Sequence, residues 1–168
     1  SYSYLANSSL LGDIAFKTNG TLRMSSSRAY DGLNRLQTIT HYGAQSAVLK
    51  SFGYSYNLAN QRTNIALGPD QSAWRYGYDT LGQVISGKKY WYDSVPVAGQ
   101  QFEYTFDDIG NRKQTEAGGD ANGANLRVAG YTNNLLNQLT GRDVPGSNDV
   151  TGIAHASATV TVNGQSPY

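Results

Sequence analysis

An aromatic residue followed at once by a short polar turn recurs along this chain at nearly constant spacing, and that recurrence limits the fold more than any other property of the sequence. The clearest copy is Trp74-Arg75-Tyr76-Gly77-Tyr78-Asp79-Thr80-Leu81-Gly82-Gln83-Val84. Side chains alternate across an extended strand, so Trp74, Tyr76 and Tyr78 project from one side and Arg75 and Gly77 from the other. Asp79-Thr80-Leu81-Gly82 then reads as a turn, and Val84-Ile85-Ser86 as the returning strand.

Aligned on the aromatic before each turn, the other units are Tyr2-Ser3-Tyr4, Arg28-Ala29-Tyr30, Tyr54-Ser55-Tyr56, Tyr104-Thr105-Phe106 and the degenerate Tyr131-Thr132-Asn133. The anchors stand at positions 4, 30, 56, 78, 106 and 133, so successive spacings are 26, 26, 22, 28 and 27 residues. Two strands and two turns fill that length, which predicts a repeated β-hairpin. Four residues after each anchor stand Ser8, Asn34, Asn60, Gly82, Gly110 and Asn137, types suited to left-handed backbone. Asp31, Asp79 and Asp107 follow their anchors directly, where a short acid or amide accepts hydrogen bonds from turn N–H groups.

Between these turns the strand signal continues. Leu36, Thr38 and Thr40 alternate with Gln37, Ile39 and His41, and Val48–Tyr56 leads into the third unit. Pro96 lacks an N–H and predicts an edge, a bulge or a loop. Residues 118–125 read as a loop. The pattern changes after Gly141: 144–150 reads as a connector, Ala158–Val162 alternates as a strand, and Asn163-Gly164 signals a hairpin turn. No segment has a helical period. The expected division is therefore 1–142, a repeat sheet, and 143–168, a connector with the start of a further hairpin or module. The chain starts with Ser inside a repeat, which reads as a piece of a longer polypeptide.

Composition removes several function classes. Charged residues make up 15% and the formal net charge is +1, which gives no electrostatic case for nucleic acid or an anionic membrane. There is no cysteine and no apolar run long enough for a membrane span. Tyr occurs 13 times against 4 Phe, which suits thin β-structure with half-exposed aromatic faces.

Tyr30-Asp31-Gly32-Leu33-Asn34-Arg35-Leu36, Tyr78-Asp79-Thr80-Leu81-Gly82-Gln83-Val84 and Phe106-Asp107-Asp108-Ile109-Gly110-Asn111-Arg112 resemble YD repeats. These belong to the RHS (rearrangement hotspot) family, with teneurin shells and the C components of insecticidal toxin complexes. The resemblance covers roughly residues 1–142. It implies an all-β fold in which antiparallel hairpins pair side by side into one long curved sheet, a segment of a hollow shell. It further implies flanking repeats as partners, a toxin or effector enclosed in the shell, and a secreted or cell-surface bacterial setting. Family members with a self-cleaving aspartyl site carry paired Asp-Pro-x-Gly motifs. This chain has none, so no protease residues carry over.

Neither catalytic, metal nor cofactor residues are expected. His41 and His155 have no companion ligands in sequence. Asp107-Asp108 sits in the turn column, which favours capping over acid–base chemistry. Residues 120–125 lack the carboxylates of a calcium loop. Structural weight falls on Tyr4, Tyr30, Asp31, Tyr56, Asn60, Tyr76, Tyr78, Asp79, Gly82, Tyr104, Phe106, Asp107, Gly110, Tyr131 and Asn137. The aromatics read as cross-strand ladders. The rival reading is a sheet that binds a glycan or a surface partner, with Trp91 and Trp74 as contacts and Trp91 the more exposed.

Overall fold

The computed structural model describes residues 1–146, 152–155 and 157–162. Among them every regular element is a strand: β1 Tyr2–Tyr4, β2 Leu11–Thr18, β3 Thr21–Tyr30, β4 Leu36–Gly43, β5 Val48–Tyr56, β6 Arg62–Gly68, β7 Ala73–Tyr78, β8 Val84–Tyr90, β9 Pro96–Phe106, β10 Arg112–Gly118, β11 Leu126–Asn133 and β12 Leu139–Arg142. The fold is all-β and built from repeated antiparallel hairpins, as the spacing requires. Strand order follows chain order. The chain divides into two compact units, Ser1–Tyr76 and Gly77–Tyr168.

In the first unit each strand pairs antiparallel with its sequence neighbour. The register sorts residues by face. One row runs Arg28, Ile39, Phe52, Leu67, and the next Ile14, Ser26, His41, Lys50. On the opposite face the rows run Asp13, Ser27, Thr40, Ser51, Gly68 and Ala29, Thr38, Gly53, Ala66, Ala73. One face is thus mostly aliphatic, aromatic and cationic, and the other small and polar. The second unit repeats the plan through β9, β10, β11 and β12. Among the described residues Ala129 is the buried apolar residue, whereas Ser26, Ser72, Gln101 and Thr115 are buried polar ones. Cohesion therefore comes from the ladder and from half-covered side chains on the sheet faces, not from a closed apolar core.

Buried polar groups must be hydrogen-bonded, and Gln101 shows how. It is 1% exposed, and its Nε2 donates to the carbonyls of Lys89 (2.8 Å) and Val97 (3.1 Å). That closes the β8–β9 hairpin from inside. Gly123 backs this packing: a Cβ there would lie 3.1 Å from Pro96 Cγ. Pro96 itself opens β9, where no ladder donor is lost.

The tail departs from its sequence reading. Over 157–162 only Val162 makes a bridge, and no strand forms. Alternation makes a strand only when a partner ladder receives it, and 157–161 are exposed. The Asn163-Gly164 turn, and most of the 144–150 connector, lie outside the described residues.

Candidate functional site: the turns and the seams between repeats

Five turns share one construction with the sequence column. In Asp31–Arg35, Asn57–Gln61, Asp79–Gln83, Asp107–Asn111 and Asn134–Gln138, the first residue's N–H donates to the fifth carbonyl and the fourth N–H donates to the first carbonyl. The fourth residue has positive φ: Asn34 (61°), Asn60 (62°), Gly82 (83°), Gly110 (90°) and Asn137 (60°). This is a type I turn closed by a left-handed residue with a bulge, and the register slips beside it at Ala29/Tyr30, Ser55/Tyr56, Arg112/Gln114 and Thr132/Asn133.

The first residue caps the turn. Asp107 Oδ1 accepts the N–H groups of Ile109 (3.1 Å) and Asn111 (2.8 Å), and Oδ2 accepts from Asn111 Nδ2 (2.9 Å). Asp31 accepts from Leu33, Arg35 and the Arg35 guanidinium. Asp79 accepts from Leu81 and Gln83. Asn57 and Asn134 do the same with an amide oxygen, a role the sequence reading left unassigned at both positions. The Asn111 side-chain bond, followed by backbone N–H groups, holds the Asp107 carboxyl below its ordinary range despite some desolvation. At Asp31 desolvation works the other way, but bonds from Arg35 and Leu33 leave the net shift downward.

The first unit corrects the alignment. Its turn runs from Leu5 to Leu10, one residue longer, and Asn7 (φ 55°) rather than Ser8 takes the left-handed position. Asn tolerates that region better than Ser, and the extra residue lets it move there.

Successive repeats are sewn together by side chains. The Tyr30 hydroxyl donates to Leu11 O (3.0 Å), and the Tyr56 hydroxyl to Leu36 O (2.8 Å), each acceptor following the previous repeat's turn. In the degenerate unit Asn133 Nδ2 donates to Arg112 O (3.3 Å), so the amide replaces the phenol. A second stitch joins turn to turn: Arg35 to Asn60 Oδ1 (2.7 Å), and Asn111 Nδ2 to Asn137 Oδ1 (3.2 Å). Tyr4 lies on the first strand and is 64% exposed.

The aromatic ladder takes a different form from the one expected. Directly opposite partners are Ile65 for both Tyr54 and Trp74, Arg62 for Tyr56, Ala117 for Phe102, Thr115 for Tyr104 and Arg112 for Phe106. A hairpin repeat places equivalent aromatics on every second strand, about 9.5 Å apart, so the strand between decides what they touch. Arginines fill that role. Arg35 lies 4.7 Å from the Tyr56 ring centre, Arg62 4.4 Å from Tyr54, Arg112 5.1 Å from Tyr104, and Arg142 5.5 Å from Tyr131. Tyr76 and Tyr78 lie half-buried on β7, and Trp74 beside them is half-buried too.

Turns of the same geometry also occur at Gly43–Ala47 and Trp91–Val95, where the sequence shows none, and at Asp120–Ala124, inside the loop expected over 118–125. Trp91 therefore opens a turn, and the chain reverses between Tyr90 and Pro96, which pair across it. Their left-handed residues are Ser46, Ser94 and Gly123, two of them without the Gly or Asn signature. The Asp120 carboxylate serves its own loop, accepting from Asn122, Ala124 and Asn125.

A cleft of about 400 Å³ in the second unit is lined by Asp79, Glu103, Thr105, Gln114 and Glu116, among others. Glu103 and Glu116 face each other directly across β9 and β10. Glu103 pairs with Lys88, and Glu116 accepts from Gln114 Nε2 (2.6 Å). His41 sits edge-on to Phe52, 6.2 Å between ring centres, and His155 Nδ1 lies 2.8 Å from Ser157 Oγ. Among the described residues no three His, Cys, Asp or Glu side chains gather as metal ligands would.

No family model matches the chain, and no curated protein does. Solved structures similar over 82% of it include TcdB2-TccC3-Cdc42 (16% identity, TM-score 0.45), TcdB2-TccC3-TEV (18%, 0.44) and TcdB2-TccC3 without its hypervariable C-terminal region (16%, 0.46). The chain spans 8% of the length of each of these structures.

Proposed function

We propose that this chain is a wall segment of a larger YD-repeat assembly, with a structural and not a catalytic role. The observation that carries the reading is the seam. Three of the six anchor side chains spend their polar group on the preceding repeat's backbone, by a phenol at Tyr30 and Tyr56 and by an amide at Asn133. A binding or catalytic group would be directed at a ligand; these are directed at the neighbouring hairpin. The turn carboxylates are likewise consumed by their own N–H groups. The wall continues through flanking repeats of a longer bacterial polypeptide, secreted or held at the cell surface, and encloses or presents a C-terminal effector.

The test is limited proteolysis of the parent polypeptide. The effector should resist protease in the native protein and become cleavable once Gly110→Val weakens the hairpin. An effector equally sensitive before and after that substitution would sink the enclosing role.

A further inference from the structure

Among the described residues eight five-residue turns share one backbone, but two break its side-chain rule. Asp31, Asn57, Asp79, Asp107, Asp120 and Asn134 open six of them; Gly43 and Trp91 open the others. At the Trp91 turn the backbone bonds are the usual pair, Trp91 N to Val95 O (2.9 Å) and Ser94 N to Trp91 O (3.0 Å). Where Asp107 receives two backbone N–H groups, here Asp93 Oδ1 receives one, from Val95 (3.0 Å). An indole has replaced the capping carboxylate, and it does not retreat into the sheet. Trp91 is 44% exposed, Tyr92 74% and Val95 44%. Of the two exceptions Gly43 brings no side chain to the surface, whereas Trp91 brings an exposed indole, and an exposed departure of that kind points to function. Lys89 Nζ lies over the Trp91 ring, 6.0 Å from its centre, so an ammonium stands on one side of the indole.

We infer that the β8–β9 turn is a carbohydrate-binding tip, and that it takes a neutral pyranose with equatorial hydroxyls. Such a ring presents axial C–H groups on its faces, and these pack on an exposed indole as another apolar surface would. The hydroxyls at its rim need a donor and an acceptor, and the Lys89 ammonium and the Asp93 carboxylate supply them. Trp74 is a different case: it is half-buried in β7 opposite Ile65, with Arg75 and not Trp74 turned to solvent. The tip lies at the opposite end of the strands from the Asp79 and Asp107 turns of the same unit, because successive antiparallel turns alternate ends. Sugar binding there leaves the seams untouched.

The experiment is titration of the 168-residue chain with cellopentaose and with penta-N-acetylchitopentaose, read by saturation-transfer NMR and tryptophan fluorescence. Saturation should pass from the indole to the sugar ring protons, and at least one oligosaccharide should give a saturable fluorescence change. Trp91→Ala should weaken binding about tenfold with an unchanged far-UV spectrum, and Trp91→Phe less. Absence of transfer in the unsubstituted chain overturns the inference, as does equal binding by a folded Trp91→Ala. A fluorescence shift with phosphatidylserine vesicles and none with either sugar overturns it in favour of a lipid surface. Should Trp91→Ala fail to fold, the unsubstituted chain's transfer signal and Tyr92→Ala decide the matter.

Discussion

The turns after odd-numbered strands and the turns after even-numbered strands obey different rules. After β3, β5, β7, β9 and β11 the same five-residue turn appears each time, opened by Asp or Asn and closed through Asn or Gly at positive φ; the turn after β1, opened by Leu5 and one residue longer, is the exception. After β2 comes the tight Asn19-Gly20; after β4 an uncapped Gly43–Ala47; after β6 the segment Gly68–Ser72 with its cis Gly68-Pro69 bond; after β8 Trp91–Val95; after β10 the capped Asp120–Ala124. One set of strand ends is uniform and the other is free to vary. The uniform set fixes the relation of each hairpin to the next, because the stitches from Arg35 to Asn60 and from Asn111 to Asn137 run between its turns. The variable set takes no part in these stitches, so its loops change length and character without disturbing the seam.

Breaking the uniform set should cost most. Gly110→Val places a β-branched residue at φ 90°, with its Cβ 3.2 Å from Gln83 Nε2. The expected loss is about 2 kcal/mol, read as a lower melting temperature, from the strain of forcing that region on a branched side chain. Asn57→Ala removes the acceptor of two backbone N–H groups and should cost about 1 kcal/mol in a urea titration. If it costs no more than the same change at Asp93, which caps one N–H, the ranking of the two sets fails.

Acid separates the turns by chemistry. The Asp31, Asp107 and Asp120 carboxyls are all held below the ordinary value of 3.8; at Asp120 the leading cause is the Ala124 N–H. A folded-state value below the unfolded one means that the stabilisation is present above the unfolded value and disappears as pH falls through the folded one. The melting temperature should therefore drop below about pH 4. The triple replacement Asp31→Asn, Asp107→Asn and Asp120→Asn should flatten that drop, since amides do not titrate. An unchanged acid profile in the triple variant would show that these caps are not the source.

Two smaller effects sharpen the comparison. Tyr56→Phe deletes the hydroxyl bond to Leu36 O and should cost about 1 kcal/mol or less, with faster amide exchange along β4. Gly43→Asp installs the missing cap in a variable turn, where its Cβ meets Leu49 at an ordinary 3.6 Å. It should raise stability by about 0.5 kcal/mol, and a loss there would show that the variable turns cannot accept the uniform rule.

Much of the fold was legible because turns are local. An Asp or Asn directly after an aromatic, with Gly or Asn three residues further on, specifies its own hydrogen bonds whatever lies across the strand. Asp31, Asp79 and Asp107 could be assigned as caps on that ground, and Gly82 and Gly110 as left-handed residues. The Trp91 turn escaped because Ser94, not Gly or Asn, takes the left-handed position there. Gly43–Ala47 escaped for the same reason at Ser46.

What the chain's residues determine alone is therefore the hairpin period, the all-β class and the place of each capped turn. Partner choice is not local. Whether Tyr56 faces an aromatic or Arg35, and that Asn133 takes up the tyrosine's bond to the repeat before it, follow from register and from the bulge beside each turn. A one-residue slip exchanges the faces of a strand, and only the paired neighbour fixes which register holds. The same limit explains Ala158–Val162: alternation offers a strand, but a ladder must be there to receive it.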